Sequence, residues 1–215
     1  MAGVICVSDS RYFDTKMCRL LSIVSCYYLL ISTVELLAHK FVMHEWKSLG
    51  IAPAHIEHHL NVKQNMRLKK PDHNRDNEFS WFHIMIMNIL VTPITWPLFR
   101  HLRVSCRSHI KIMFILSMIV GVLWNNLHNA MHNDEKYIPL SHGPPKLLKN
   151  STISKLPFYN TWLQNHKLHH IFKKRKTNFC IIFLGADRVF GTAITNSEIE
   201  QVLRDKRSAT HARLG

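Results

Sequence analysis

Residues 20–44 read LLSIVSCYYLLISTVELLAHKFVMH, and the two parts of this stretch decide what kind of protein the chain is. Between Leu20 and Ala38 the only charge is Glu35. At about 1.5 Å per residue such a run matches a hydrocarbon core of roughly 30 Å. It then passes directly into His39 and His44. A cleaved signal peptide would need a small-residue cleavage site here, and none is convincing. The expectation is a membrane helix that delivers two histidines to its end.

Working outward, residues 1–16 form a polar N-terminal segment and residues 45–80 a polar stretch with charges of both signs. Residues 81–99 are a second apolar run, containing His83, Pro93 and Pro97. The prolines would kink or break a helix, so this run is expected as a bent span or a re-entrant pair. A basic hinge with Arg100, Arg103 and Arg107 leads to a third run, residues 112–127. That run is long enough to cross if its helix starts near Ser108 and continues to His132. The rest of the chain is polar and basic, ending in a tail at 193–215. Its short apolar run 179–184 is expected as an interfacial or buried turn. The fold expected is an all-α membrane protein. Three to four transmembrane or re-entrant helices, within a domain at 17–192, would carry a cytosolic helical cap.

Histidine is the compositional oddity. There are 16 among 215 residues, more than the 14 Asp and Glu together. The net charge of +14 suits anionic headgroups or an acidic partner protein in a chain with apolar runs, rather than nucleic acid. Cys6, Cys18, Cys26, Cys106 and Cys180 are scattered without a CxxC, and reduced thiols are expected. The seven glycines form no phosphate-binding loop.

Ten histidines fall into four clusters: His39 and His44 (HxxxxH); His55, His58 and His59 (HxxHH); His128 and His132 (HxxxH); His166, His169 and His170 (HxxHH). By chance, an HxxHH arises at roughly 0.1 per chain at this histidine density, so two copies call for a reason. On a helix, positions i, i+3 and i+4 share one face. His55, His58 and His59 therefore converge if 54–64 is helical, with Pro53 in the first turn. His166, His169 and His170 converge on a helix capped by Asn160 or Thr161. His39 and His44 point about 140° apart on an α-helix, so they would serve different metals unless the helix end loosens.

Crossing parity supports one site. The first two clusters lie between spans one and two, and the last two follow span three. Two crossings between them return the chain to the same side. The basic residues Lys47, Lys63, Arg67, Lys69, Lys70 and Arg75 favour the cytosol for that side, although the opposite hinge is also basic.

Imidazole suits zinc, copper, iron and nickel, so ligand type alone leaves the metal open. A structural zinc takes four ligands, whereas ten suffice for two metals. No HExxH is present, which disfavours a zinc peptidase. The order HxxxxH, HxxHH, HxxxH, HxxHH around apolar spans resembles the fatty acid hydroxylase superfamily, which includes fatty acid 2-hydroxylases, sterol desaturases and methyl oxidases, and carotene hydroxylases. ELLAHKFVMH at 35–44 is similar to the first motif of the carotene hydroxylase branch. NHKLHH at 165–170, followed by GADRVFGT at 185–192, is similar to the closing segment of the wider family. Cys180 departs from a glycine common in relatives.

The resemblance covers about residues 20–192. It implies two iron ions (zinc as a substitute in isolated protein) held by the ten histidines, and dioxygen-dependent hydroxylation or desaturation of a lipid. An acyl chain, sterol or carotenoid would fit as substrate. With no HPGG haem motif fused here, electrons would come from a separate donor such as a cytochrome b5 or ferredoxin system. The membrane would be of the endoplasmic-reticulum type in a eukaryote or virus, or the inner membrane in a bacterium.

Other residues bear on the site less directly. Glu35, one turn before His39, is expected to accept that histidine's other N–H. His142 and Asn165 are further second-shell candidates, with Glu57, Asn129 and Asp134 behind them. His73, His83, His101, His109 and His211 are read as bland. Residues 173–176 (KKRK) suit headgroups better than a nuclear-targeting role. The alternatives are a histidine-rich metal transporter or store without oxygen chemistry, and an inactive relative. A transporter should place its polar groups near mid-membrane, whereas these clusters lie at the span ends.

Overall fold

A computed structural model describes residues 10–46, 51–70, 78–171, 177–194, 197–201 and 204. Helix α1 spans Ser10–Leu37 and continues as a π-helical segment, Ala38–Glu45. It is followed by α2 (Ile51–Asn61), α3 (Trp81–His101), α4 (Cys106–Met131), α5 (Asn150–Ile153), α6 (Tyr159–Ile171) and α7 (Ala186–Val189). No strand occurs among the described residues; the one β-bridge pairs Val62 with Leu68 in the turn after α2.

Three helical stretches are long and apolar enough to cross a membrane: Met17–Glu45, Trp81–His101 and Cys106–Met131. Their outward surfaces carry exposed apolar side chains, among them Leu20, Leu21 and Val24, then Ile89, Leu90 and Ile94, then Phe114 and Ile115. In water such a belt would be a liability, whereas against lipid tails it is the expected surface.

The re-entrant pair expected at 81–99 is not formed. Pro93 and Pro97 both lie inside one continuous helix. Between them the Thr95 hydroxyl donates back to the carbonyls of Val91 (2.8 Å) and Thr92 (3.2 Å). The third span runs from Cys106 to Met131, close to the extended limits expected, with Ser105 capping its start by accepting the Ser108 N–H.

His109 ties the three spans together at the hinge end. It is fully buried, with Nδ1 2.8 Å from the Tyr27 hydroxyl of α1 and Nε2 3.1 Å from the Thr95 hydroxyl of α3. Tyr27 stacks on Phe99 with ring centroids 3.9 Å apart. Arg19 donates to the carbonyls of Leu102 (3.0 Å) and Arg103 (2.9 Å), which end α3. The bland reading of His109 thus becomes a definite structural role. His83 is also structural, completing a capping box with Ser80 at the start of α3. His101 is exposed, and His73 and His211 lie outside the described residues.

At the other end, Asn125 and Asn126 of α4 hold the surrounding loops. Asn125 accepts the Phe79 N–H (2.7 Å) and donates to the carbonyls of Phe79 (2.9 Å) and Pro144 (2.7 Å). Asn126 accepts the N–H groups of Leu147 and Leu148, both at 2.9 Å. Gly121 makes the approach possible, since a Cβ there would stand 2.7 Å from the Pro144 ring. The run 179–184 is a buried turn, with Phe179, Cys180, Ile181 and Ile182 almost fully covered. Cys18, Cys26, Cys106 and Cys180 are free thiols. The basic run 173–176 lies outside the described residues.

Candidate metal centre

All ten clustered histidines meet where the spans end and α2 and α6 cap them. His39, His44, His55, His59 and His169 form one group, and His58, His128, His132 and His166 a second. Within each group the ligand atoms lie within 4.8 Å of one another. His170 stands at the seam. Its Nε2 is 3.2 Å from that of His166, and its ring centroid is 4.2 Å from that of His59.

Each HxxHH motif is divided between the groups. On α2, His55 and His59 (i, i+4) face the first group while His58 faces the second. On α6, His169 faces the first and His166 the second. The helix starts differ slightly from expectation. α2 begins at Ile51, with Pro53 still in its first turn, and α6 begins at Tyr159, so Asn160 and Thr161 lie inside it rather than capping it.

His39 and His44 reach the same group because the chain there is π-helical. Bonding from i to i+5 widens the helix so that residues five apart return to one face. Their rings stack with centroids 5.2 Å apart, instead of pointing about 140° apart as in an α-helix.

The ring protons are fixed from outside. His39 Nδ1 donates to the Phe179 carbonyl (2.7 Å), His169 Nδ1 to the Thr177 carbonyl (2.7 Å) and His132 Nδ1 to the Met66 carbonyl (2.9 Å). A carbonyl only accepts, so these rings carry their proton on Nδ1 and turn an Nε2 lone pair inward. The inward Nε2 atoms are closely spaced: 3.0 Å for His39–His55 and for His55–His59, 3.1 Å for His59–His169 and 3.2 Å for His44–His169. In the second group the spacings are 3.1 Å for His58–His132 and 2.8 Å for His132–His166. Both ring nitrogens of buried His128 have no hydrogen-bond partner, and its ring stacks on Trp124.

This donor set fits a metal ion in each group. Converging lone pairs repel unless a cation lies between them, and a buried imidazole without a partner is costly. With metal–nitrogen bonds of about 2.1 Å, two ligands at a right angle stand about 3.0 Å apart, and two ligands of a tetrahedron about 3.4 Å. The observed spacings are close enough for the nitrogens of each group to share one ion.

Electrostatics keep the ligands competent. Burial, reinforced by neighbouring imidazoles, holds His59, His166 and His170 well below the usual histidine range. Burial lowers His169 to about 4, against the opposing pull of the Thr177 carbonyl and of Asp187. Neutral imidazole is the form that binds metal.

The residues expected to orient the ligands from behind fare differently. Glu35 does not accept the His39 N–H, which goes to Phe179. Its carboxylate instead accepts the backbone N–H groups of Ile181 (2.9 Å), Ile182 (2.8 Å) and Phe183 (2.8 Å). Asn165 donates to the Cys180 carbonyl. His142 does not line the site; it faces buried Glu78 at 3.4 Å, and Glu78 pairs with Lys136 at 3.0 Å. Glu57 is exposed, Asn129 is buried beside His128, and Asp134 accepts the Lys136 N–H. The acceptors that orient His39, His132 and His169 are backbone carbonyls, which carry no residue-type signal. Two are flanked by a visible oddity: Asn178, between Thr177 and Phe179, has φ 55°, and Met66 itself has φ 68°. Such left-handed non-glycine residues concentrate at functional sites.

Comparison with family models, with curated proteins and with solved structures found no match to this chain.

Proposed function

We propose that this chain is a membrane-bound non-haem di-iron oxygenase that hydroxylates or desaturates a lipid, with two electrons supplied by a separate donor. One observation carries the reading. Two adjacent all-nitrogen groups, with neighbouring Nε2 atoms 3.0–3.2 Å apart in one and 2.8–3.1 Å apart in the other, stand at the membrane end of three apolar helices. The resemblance of the histidine order to the fatty acid hydroxylase superfamily points the same way.

His39, His44, His55, His59 and His169 would hold one iron, and His58, His128, His132 and His166, with His170 beside them, the other. When bound, the metal pair supplies the redox capacity to activate dioxygen against an unactivated C–H bond. The chain's own contribution is orientation and exclusion of water. Nine of the ten rings are buried, and the Trp124 and Phe179 rings cover the groups on their apolar side. The Nδ1–H bonds of His39, His132 and His169 keep the Nε2 lone pairs aimed inward without local rearrangement.

The substrate would reach the site along the lipid-facing helices, as an acyl chain, sterol or carotenoid. The electron donor would be an acidic protein of the cytochrome b5 or ferredoxin type. Lys63, Arg67, Lys69 and Lys70 are exposed on the cap, and this basic surface favours the cytosolic side for the site. A transporter or store would require ligands along the middle of the spans. Among the described residues, polar groups within the spans pair with one another, His109 with Tyr27, Thr92 and Thr95 near the hinge end and Asn88 with Ser117.

The test is expression with iron and a reductase system in a host of defined lipid content, followed by mass spectrometry of the lipids. A new hydroxylated or unsaturated species that disappears in His58→Ala is expected. An unchanged lipid profile from folded, iron-loaded protein would sink the proposal.

A further inference from the structure

Rings of the two histidine groups are oriented by carbonyls from different parts of the chain. Three carbonyls among the described residues accept an N–H from the clustered histidine rings, and two of them, those of Thr177 and Phe179, lie in the segment 177–184 and serve the five-histidine group through His169 and His39. The third, on Met66, lies in the turn after α2 and serves His132 of the other group.

The segment 177–184 makes no regular secondary structure, so its shape depends on its anchors. Glu35 accepts three successive N–H groups from it, those of Ile181, Ile182 and Phe183. Asp187 accepts those of Phe179 (3.0 Å) and Cys180 (2.7 Å). Ser32 bonds the Phe183 carbonyl, Tyr28 the Leu184 carbonyl (2.8 Å) and Trp162 the Ile182 carbonyl (3.0 Å). Glu35 lies one turn before His39 and takes three of the segment's N–H groups, whereas Ser32 and Tyr28 of the same helix each hold one of its carbonyls. Glu35 therefore couples the end of α1 to the segment that orients His39 and His169. A carboxylate accepting three backbone N–H groups is a strong, directional anchor.

We propose that Glu35 is a positioning residue for one half of the site. By gripping segment 177–184 it sets the orientation of His39 and His169, so metal retention in the five-histidine group depends on it and retention in the His58 group does not. This rests on both groups being metal sites, but not on oxygen chemistry.

The test counts and times metal in purified, detergent-solubilised protein loaded with Co(II). Two ions per chain are expected in the wild type and about one in Glu35→Ala. Glu35→Gln keeps one oxygen for Ile181 and Ile182 but turns an amide against the Phe183 N–H. It should fold, keep both ions at saturation and release one of them to a chelator about 10–100-fold faster, with the other unchanged. If Glu35→Ala does not fold, the two-phase release from Glu35→Gln decides. Combining Glu35→Ala with His58→Ala should leave almost no metal. Wild-type release from Glu35→Gln, or acceleration of both phases together, overturns the proposal. Single His58→Ala and His169→Ala variants separate the two readings. If both still bind two ions, the two-metal reading itself fails. If each loses one ion while the Glu35 variants behave as wild type, only the role of Glu35 falls.

Discussion

His39 and His44 stack with ring planes 25° apart, although five residues separate them. The π-helical segment makes this contact and puts both rings in the group that also holds His55, His59 and His169. Single π turns inside α-helices are uncommon and concentrate at functional sites.

Deleting Val42 should restore α-helical register at 38–45 and leave the two histidines four residues apart, again on one face. Metal in the five-histidine group should then survive better than after inserting one alanine at the same place, which would put the rings on different faces in either helix type. Metal content per chain distinguishes the two; equal loss from both variants would contradict the geometric account.

Replacing His44 or His169 with alanine should lower metal content by about one ion per chain, as should replacing His58 or His132. A His44→Ala/His169→Ala pair should lose no more than either alone, since both belong to one group. A His44→Ala/His132→Ala pair should lose both ions. Elemental analysis of the folded proteins reads the outcome.

His109→Ala should destabilise the protein by about 1–3 kcal/mol, because it leaves the Tyr27 and Thr95 hydroxyls without their shared partner and opens a cavity beneath Phe99. Its Cα lies 19 residues before His128 on the same helix, so metal content should not change. Unfolding in mixed micelles, measured beside metal content, tests both halves of the expectation.

Asn125→Ala should cost about 2–4 kcal/mol, since the N–H and carbonyl of Phe79 and the carbonyl of Pro144 lose their partner in a buried place. Asn125→Asp should cost a similar amount, because its carboxylate cannot donate to the two carbonyls. Thermal unfolding midpoints in detergent would report the difference.

Chelator-treated protein should lose stability on acidification. The unfolded chain takes up protons on its histidines near pH 6.5, whereas His169 in the folded protein does so only at about 4, and His59, His166 and His170 are also held well below the usual range. Between those limits the unfolded state binds more protons, so stability is full above about pH 6.5 and falls as the pH drops toward 4. The slope is at most about 1.4 kcal/mol per pH unit for each such histidine. Denaturation midpoints recorded from pH 8 to 4.5 should be flat at first and then fall; a flat profile throughout would count against burial of neutral rings.

Much of this molecule was readable from residue types alone. Three apolar runs of spanning length become three helices, and the run with two prolines stays helical through both of them. The i, i+3, i+4 spacing put each HxxHH on one helix face, and crossing parity put the four clusters on one side. Side-chain chemistry and helical period are properties of the sequence, so those features could be read before any fold was known.

The tertiary structure decided how the ten histidines divide, which carbonyl holds which ring, and what Glu35 grips. Glu35 looked like a partner for His39 because it lies one turn away, yet three N–H groups from 146 to 148 residues further on claim it. The acceptors for His39, His132 and His169 are peptide oxygens, and every residue has one. A π turn likewise differs from an α turn by one step in hydrogen-bond register. Neither leaves a mark on composition, because both are settled by which backbone atoms packing brings within 3 Å of one another.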